Sequence, residues 1–352
     1  MRSVSIETKQ ILRIGAIFLG CTLIARSQQS DIVFHPDSAI NLQDFGRVRL
    51  GYYSCRSDGT SYFTTVINPN QSADTHLVSV GTNGVVVILD TTIPSLTSST
   101  ILSDAPDDNG VTVLLAGAPS KTAAPELREA NTFLARYDLD GNFVSITPLP
   151  ANFFYHKIAR YGVLFLALRT DPSSGAISLA AVSPQGKLVK VINTPHELIG
   201  IDEGTTLSKE RIPGISNTSQ AFQMGLAASS IQLSSVGDAV YLIKSARNHE
   251  VYIVQKDGTV RVVPLKVPEG VDPRAIFPDP SLGLVTIAYG PGERDSALLR
   301  FDSATGIVSG QLKVTGLSPV SVMCRRDDKF YGVRVNQTGQ ALLVGELQQS
   351  LP

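Results

Sequence analysis

Leu134-Ala135-Arg136-Tyr137-Asp138-Leu139-Asp140-Gly141-Asn142-Phe143-Val144 places two short apolar-alternating segments on either side of one Asp-Gly turn. Asp-Gly and Asn-Gly supply the positive φ that tight hairpins need, so the stretch reads as two antiparallel strands. The arrangement recurs: residues 77–80 and 85–88 flank Asn83-Gly84, and similar pairs surround Gln185-Gly186, Asp257-Gly258 and Thr305-Gly306. The five turn glycines are 57, 45, 72 and 48 residues apart, around the roughly 40 to 50 residues of one propeller blade.

Each hairpin follows two further apolar segments. In the fourth unit residues 231–234 lead through Gly237-Asp238 into 239–243, then 251–254, the turn and 260–263. That is a four-stranded meander. Long helical patterns are missing, which disfavours parallel α/β sheets with crossover helices. At the C-terminus residues 320–323, 330–333 and 341–344 supply three strands only, while Asp31-Ile32-Val33-Phe34 stands alone before the first unit. An N-terminal strand completing the last blade accounts for both remnants and leaves no sheet edge open. The expected fold is therefore an all-β, six-bladed β-propeller of four-stranded antiparallel blades. It forms a single domain over 28–352, with blades at about 46–90, 96–148, 152–193, 229–265, 271–314, and 319–347 plus 31–35. A β-sandwich or two small β domains is the competing architecture, since regular short strands describe those too.

The pattern resembles the group of six-bladed propellers with NHL, YVTN and SMP-30-like repeats, whose blades often read as apolar strand, Asp-Gly turn, apolar strand. Residues 134–144 carry that resemblance best. The chain has no Trp, which removes the WD dipeptide of WD40 repeats and the tryptophan docking motifs of quinoprotein dehydrogenases. Through its SMP-30-like members the resemblance also implies a metal-dependent lactonase-like hydrolase as an alternative function. Such an enzyme gathers acidic and amide ligands around a divalent ion, yet the expected inner strands offer Lys157, Gln232, Arg274 and Ser321.

The 352 residues carry 30 basic and 31 acidic side chains, a net charge of -1, so no strong field favours nucleic acid. Hydrophobic residues make up 43% and charged ones 17%, enough for a large core. Arg2, Lys9 and Arg13 precede the apolar run 14–25, and Ala25-Arg26-Ser27 offers small residues at a cleavage site. Residues 1–27 read as a signal peptide, with a buried N-terminal helix as the plainer alternative. The expectation is a secreted or periplasmic protein with no transmembrane segment in the mature chain, monomeric and needing no cofactor. Leu19-Gly20-Cys21 hints at lipoprotein anchoring instead. Of the remaining cysteines, Cys55 precedes Tyr62 as Cys324 precedes Tyr331. The two are repeat-equivalent on innermost strands of neighbouring blades, where a disulfide would staple the chain ends, against the alternative of two buried thiols.

In a propeller, the loops from one blade's outer strand to the next blade's inner strand share a face with those between second and third strands. That face is expected to receive His35, His76, His156, His196 and His249, the long insertion 195–228, and the polar loop 117–131 with Glu126, Arg128 and Glu129. Arg160 or Tyr161 is a candidate for lining the same channel, with solvated packing as the plainer reading. Polar residues gather in loops anyway, which is the plainer reading of the histidines. His196-Glu197 and His249-Glu250 lack the second His four residues after the first that a zinc helix needs. His156 starts an inner strand but has no identified orienting partner, so a propeller lyase using it with a carboxylate of the insertion ranks low. Asp138-Leu139-Asp140 lacks a twelfth-position glutamate, and Asp104, Asp107 and Asp108 precede Asn109-Gly110; both read as turns. No nucleophile elbow, phosphate loop or dinucleotide fingerprint occurs. The expected function is an exported, non-catalytic propeller binding an extracytoplasmic protein, peptide or glycan on its loop-rich face.

Overall fold

A computed structural model describes residues 32–45, 47–66, 75–196, 198, 231–244, 250–267, 272–279, 283–289, 296–315, 320–326, 329–336 and 339–349. The proposed signal peptide, His249 and residues 199–230 lie outside the described residues. β1 (Ile32–Asn41) comes first. β2 (Arg47–Cys55), β3 (Ser61–Val66), β4 (Thr75–Val80) and β5 (Val86–Leu89) form one four-stranded sheet. β6 (Leu96–Asp107), β7 (Gly110–Pro119), β8 (Thr132–Tyr137) and β9 (Phe143–Pro148) form the second, with the helical turn α1 (Pro125–Arg128) between β7 and β8. β10 (Phe154–Tyr161), β11 (Leu164–Thr170), β12 (Ile177–Val182) and β13 (Leu188–Ile192) form the third. β14 (Ile231–Val236), β15 (Ala239–Lys244), β16 (Glu250–Gln255) and β17 (Val260–Pro264) form the fourth. Two more meanders follow, β18 (Asp272–Asp279), β19 (Gly283–Tyr289), β20 (Ser296–Phe301) and β21 (Val308–Thr315), then β22 (Val320–Arg326), β23 (Lys329–Asn336) and β24 (Gly339–Gln349).

The chain is an all-β propeller. The innermost strands β2, β6, β10, β14, β18 and β22 neighbour one another in that order, and β22 returns to β2. Six separate blades were expected, and that count is corrected: four blades stand as separate sheets, while the remaining eight strands form one sheet ordered β18-β19-β20-β21-β1-β24-β23-β22. The cause is β1, which pairs antiparallel along β24 and, at Ile32 and Val33, parallel to Val314 and Thr315 of β21.

The closing strand also differs in extent from the sequence reading. Residues 31–35 were expected to close the last blade, but the strand runs on to Asn41, with Ser38, Ala39 and Ile40 beside Val344, Leu343 and Leu342 and Ile32 opposite Gln349. Pro36 made the strand seem to end at His35. Proline cannot donate to a ladder, and the structure accommodates it with a bulge between Pro36 and Ser38, after which pairing runs on to Asn41.

The sheets adhere through apolar faces. Tyr62, Leu77 and Leu89 pack on Ile101, Val111 and Val113 across the first seam. Leu114 and Leu134 meet Tyr155, Phe165 and Ala167 across the second, and Leu166, Leu168 and Leu179 meet Val240, Leu242 and Tyr252 across the third. Ile243, Ile253 and Val263 meet Ile276 and Phe301, while Phe63 and Val78 meet Leu342. Each such side chain fully removed from water contributes about 1.5–3 kcal/mol.

The recurring turn glycines have a second role beyond turn geometry. Each lies on the outer strand of the preceding unit: Gly84 by Ile40, Gly141 by Val87 and Leu89, Gly186 by Pro148, Gly258 by Ile192 and Gly306 by Pro264. At Gly186 and Gly306 φ is +73° and +69°, and an added Cβ would stand 2.2 and 2.1 Å from a backbone carbonyl oxygen. No other residue fits there.

Candidate ligand-binding face

The face where outer strands hand over to inner strands receives the starts of β10 and β12 and the ends of β11 and β13. Along β10 the run Phe153-Phe154-Tyr155-His156-Lys157 enters this face, and a bulge between Tyr155 and Lys157 sets His156 out of the pairing. His156 Nε2 lies 2.7 Å from Thr170 Oγ1, and its ring centroid is 5.0 Å from that of Phe154. Burial, with Lys157 beside it, lowers the imidazole to about 4. His156 is therefore neutral at pH 7 and a poor proton acceptor, which weighs against its use as a general base.

Tyr155 and Arg169 are cross-strand partners on β10 and β11, and Ser178 follows on β12. Directly opposed residues share a face of the sheet. Arg169 is 3% exposed, lies over the Phe153 ring at 3.6 Å from its centroid, and donates from Nε to Ser178 Oγ at 3.2 Å. Phe153, Phe154, His156 and Ser178 are half-buried, so the surface is one side chain away. On the other face of β10, Lys157 donates to the Ile231 carbonyl at 2.5 Å, where the chain re-enters the fourth blade. Burial lowers its ammonium to about 7.

Across the seam to the fourth blade, His196 Nδ1 is 3.2 Å from Glu250 Oε1, and the Tyr252 hydroxyl donates to Glu250 Oε2 at 2.8 Å. His76 is half-buried at the start of β4, opposite Thr65. Glu126 and Glu129 are exposed on and after α1, which anchors through Leu127 and an Arg128 Nε bond to the Ala123 carbonyl at 3.0 Å. His35 does not belong with the others, because β1 continues six residues past it and leaves it near the strand's opposite end. Arg160 also departs: it sits at the far end of β10, 3.4 Å from Asp107 and over Phe165 at 5.0 Å.

That opposite face carries ties the sequence reading took for turns. Asp107 is clamped by Arg136 at 2.7 and 2.8 Å; burial works against its ionised form, and the arginine bonds more than offset it, leaving it below the usual range. Asp104 lies within β6 and accepts from Ser54 of the neighbouring inner strand; burial pushes its carboxyl up to about 6 against that bond. Ser57 also donates to Asp108 at 2.7 Å. Among the described residues no three His, Cys, Asp or Glu side chains gather to hold a metal, and no helix is long and apolar enough to cross a membrane.

No family model matches the chain, and no curated protein matches it in sequence. Solved structures similar in shape include the PQQ-bound aldose sugar dehydrogenase of Streptomyces coelicolor, at 9% identity and a TM-score of 0.45, covering 91% of this chain and 99% of that one. A prolyl endopeptidase structure gives 11% identity and a TM-score of 0.44 over 87% of this chain and 43% of that one. The Dos1 propeller gives 9% and 0.44 over 85% and 81%.

Proposed function

We propose that this chain is an exported, non-catalytic propeller that binds a protein, peptide or glycan at the upper edge of its third blade. The observation that carries this reading is the group of half-buried aromatics and hydrogen-bonding side chains at one strand end: Phe153 and Phe154, with His156 bonded to Thr170 and Arg169 under Phe153. Planar rings beside a few placed donors are what recognition sites use for orientation and specificity. A lyase reading gains nothing from a histidine lowered to about 4, and the lactonase reading finds no donor set among the described residues.

Export rests on the N-terminal apolar run, with secretion or a periplasm as the destination. The Cys55–Cys324 disulfide fits that compartment. It is supported by the adjacency of the innermost strands β2 and β22, which carry the two cysteines. We read the eight-stranded sheet as a fifth and a sixth blade joined through β1, and keep the NHL, YVTN and SMP-30-like affinity of the repeat as part of this proposal.

Arrays of oligosaccharides and of peptides, probed with the full chain, test the function. Phe154→Ala and His156→Ala are expected to lower binding of any hit at least about tenfold with little change in thermal midpoint. Hits that bind both variants as tightly as the parent would place the site elsewhere.

A further inference from the structure

Arg169 is a full positive charge in the interior whose Nη1 has no hydrogen-bond partner. It is 3% exposed, and no ion pair to it occurs among the described residues. Directly across the ladder, the Tyr155 hydroxyl is also buried, beside the Arg169 guanidinium and with no acceptor for its own proton. Burying a charge without a counter-ion costs several kcal/mol, and an unsatisfied hydroxyl adds to that. A strand end that only had to pack would carry Leu or Met here. Phe153 offsets part of the cost by lying against the guanidinium, but a ring face does not satisfy an N–H.

The two idle donors sit side by side on one face of the third blade. One is a planar guanidinium suited to two-point contact with a carboxylate, the other a hydroxyl able to donate to the same oxygen pair. The neighbouring groups add no competing negative charge: Ser178 is neutral and already engaged with Nε, and His156 and Thr170 bond each other. The position is at the loop end of β10 and β11, flanked by half-buried Phe153 and Ser178. We infer that Arg169 and Tyr155 form a carboxylate subsite, so that the ligand of this face is acidic. This inference rests on the binding function proposed above and narrows it to ligands bearing a carboxylate. A uronic-acid sugar and a peptide C-terminus both supply one.

The test follows the side-chain Nε–H resonance of Arg169 in the full chain while D-glucuronate, an N-acetylated tripeptide with a free C-terminus, or acetate is added. D-glucose and the tripeptide amide serve as neutral controls. Saturable shifts with the carboxylates and none with the controls are expected, and whichever of the sugar or peptide saturates first identifies the source. Arg169→Gln should abolish the thermal stabilisation given by the carboxylate, and Tyr155→Phe, which keeps the ring, should weaken it several-fold. Should Arg169→Gln fail to fold, the Tyr155→Phe titration decides alone. Equal shifts with charged and neutral probes, or unchanged affinity in Tyr155→Phe, overturn the subsite. If array ligands still bind in a Phe154-dependent way, the broader binding function stands while the acidic ligand falls.

Discussion

Ile32 opposes Gln349 of β24 antiparallel and Val314 of β21 in parallel, so one residue joins two meanders that are otherwise separate. In the other seams a hairpin glycine lies on the preceding outer strand. The last unit has no such hairpin, because its outer strand comes from the other end of the chain. Direct hydrogen bonding from the start of β1 takes the place of that contact. A chain beginning at residue 42 would leave β21 and β24 with bare edges. It is expected to melt well below the parent and to associate as concentration rises, read by calorimetry and size-exclusion chromatography. A monomer with the parental midpoint would show that β1 is dispensable.

Turn glycines should differ sharply in tolerance. Gly186→Ala and Gly306→Ala force a Cβ into a backbone oxygen and should each cost about 2 kcal/mol or more. Gly237, at φ +57° with open space around it, should lose only about 1 kcal/mol as alanine. Urea midpoints measure this, and equal losses at all three would remove the packing role.

Lys157 makes stability depend on pH. Its ammonium titrates at about 7 in the fold against 10.5 ordinarily. Between those values the unfolded chain holds the additional proton, so stability rises with pH, by up to about 1.4 kcal/mol per unit. Below about 7 the penalty is complete and constant. Unfolding curves from pH 7 to 9.5 should climb more steeply in the parent than in Lys157→Met. Parallel slopes would mean the amine is not desolvated.

Asp104 works in the opposite direction. Burial raises it to about 6 from 3.8, so between these values the folded state retains a proton the unfolded chain has lost. Stability falls as pH rises through that window, by about 2–3 kcal/mol in total. Asp104→Asn keeps an acceptor for Ser54 and should gain on the parent from pH 4 to 7, as followed by thermal midpoints; a constant difference would contradict the burial.

How legible was this in the residues? Asp140-Gly141 and its counterparts marked the hairpins because period-two patterning and positive φ are local properties. Asp104 was misread as part of a turn since β6 holds bulges between Leu96 and Ser98 and between Ile101 and Ser103, which break the alternation a strand is recognised by. The turn itself begins only at Asp107. His156 was visible in Tyr155-His156-Lys157. Arg169 was missed because its burial depends on Phe153 and Ser178, brought together by three strands; the available hint was a charged residue closing the apolar run 163–168. The register of β1 was hidden by Pro36, whose bulge is a tertiary accommodation.

The claim on which the rest depends is that β1 completes the final sheet in the register described, Ser38 opposite Val344. Paired cysteines test it directly: Ser38→Cys with Val344→Cys, against Ile32→Cys with Val344→Cys, oxidised in the folded state and mapped by peptide mass. Cross-linking of the first pair and not the second is expected. Cross-linking of the second alone, or of neither, would contradict the closure.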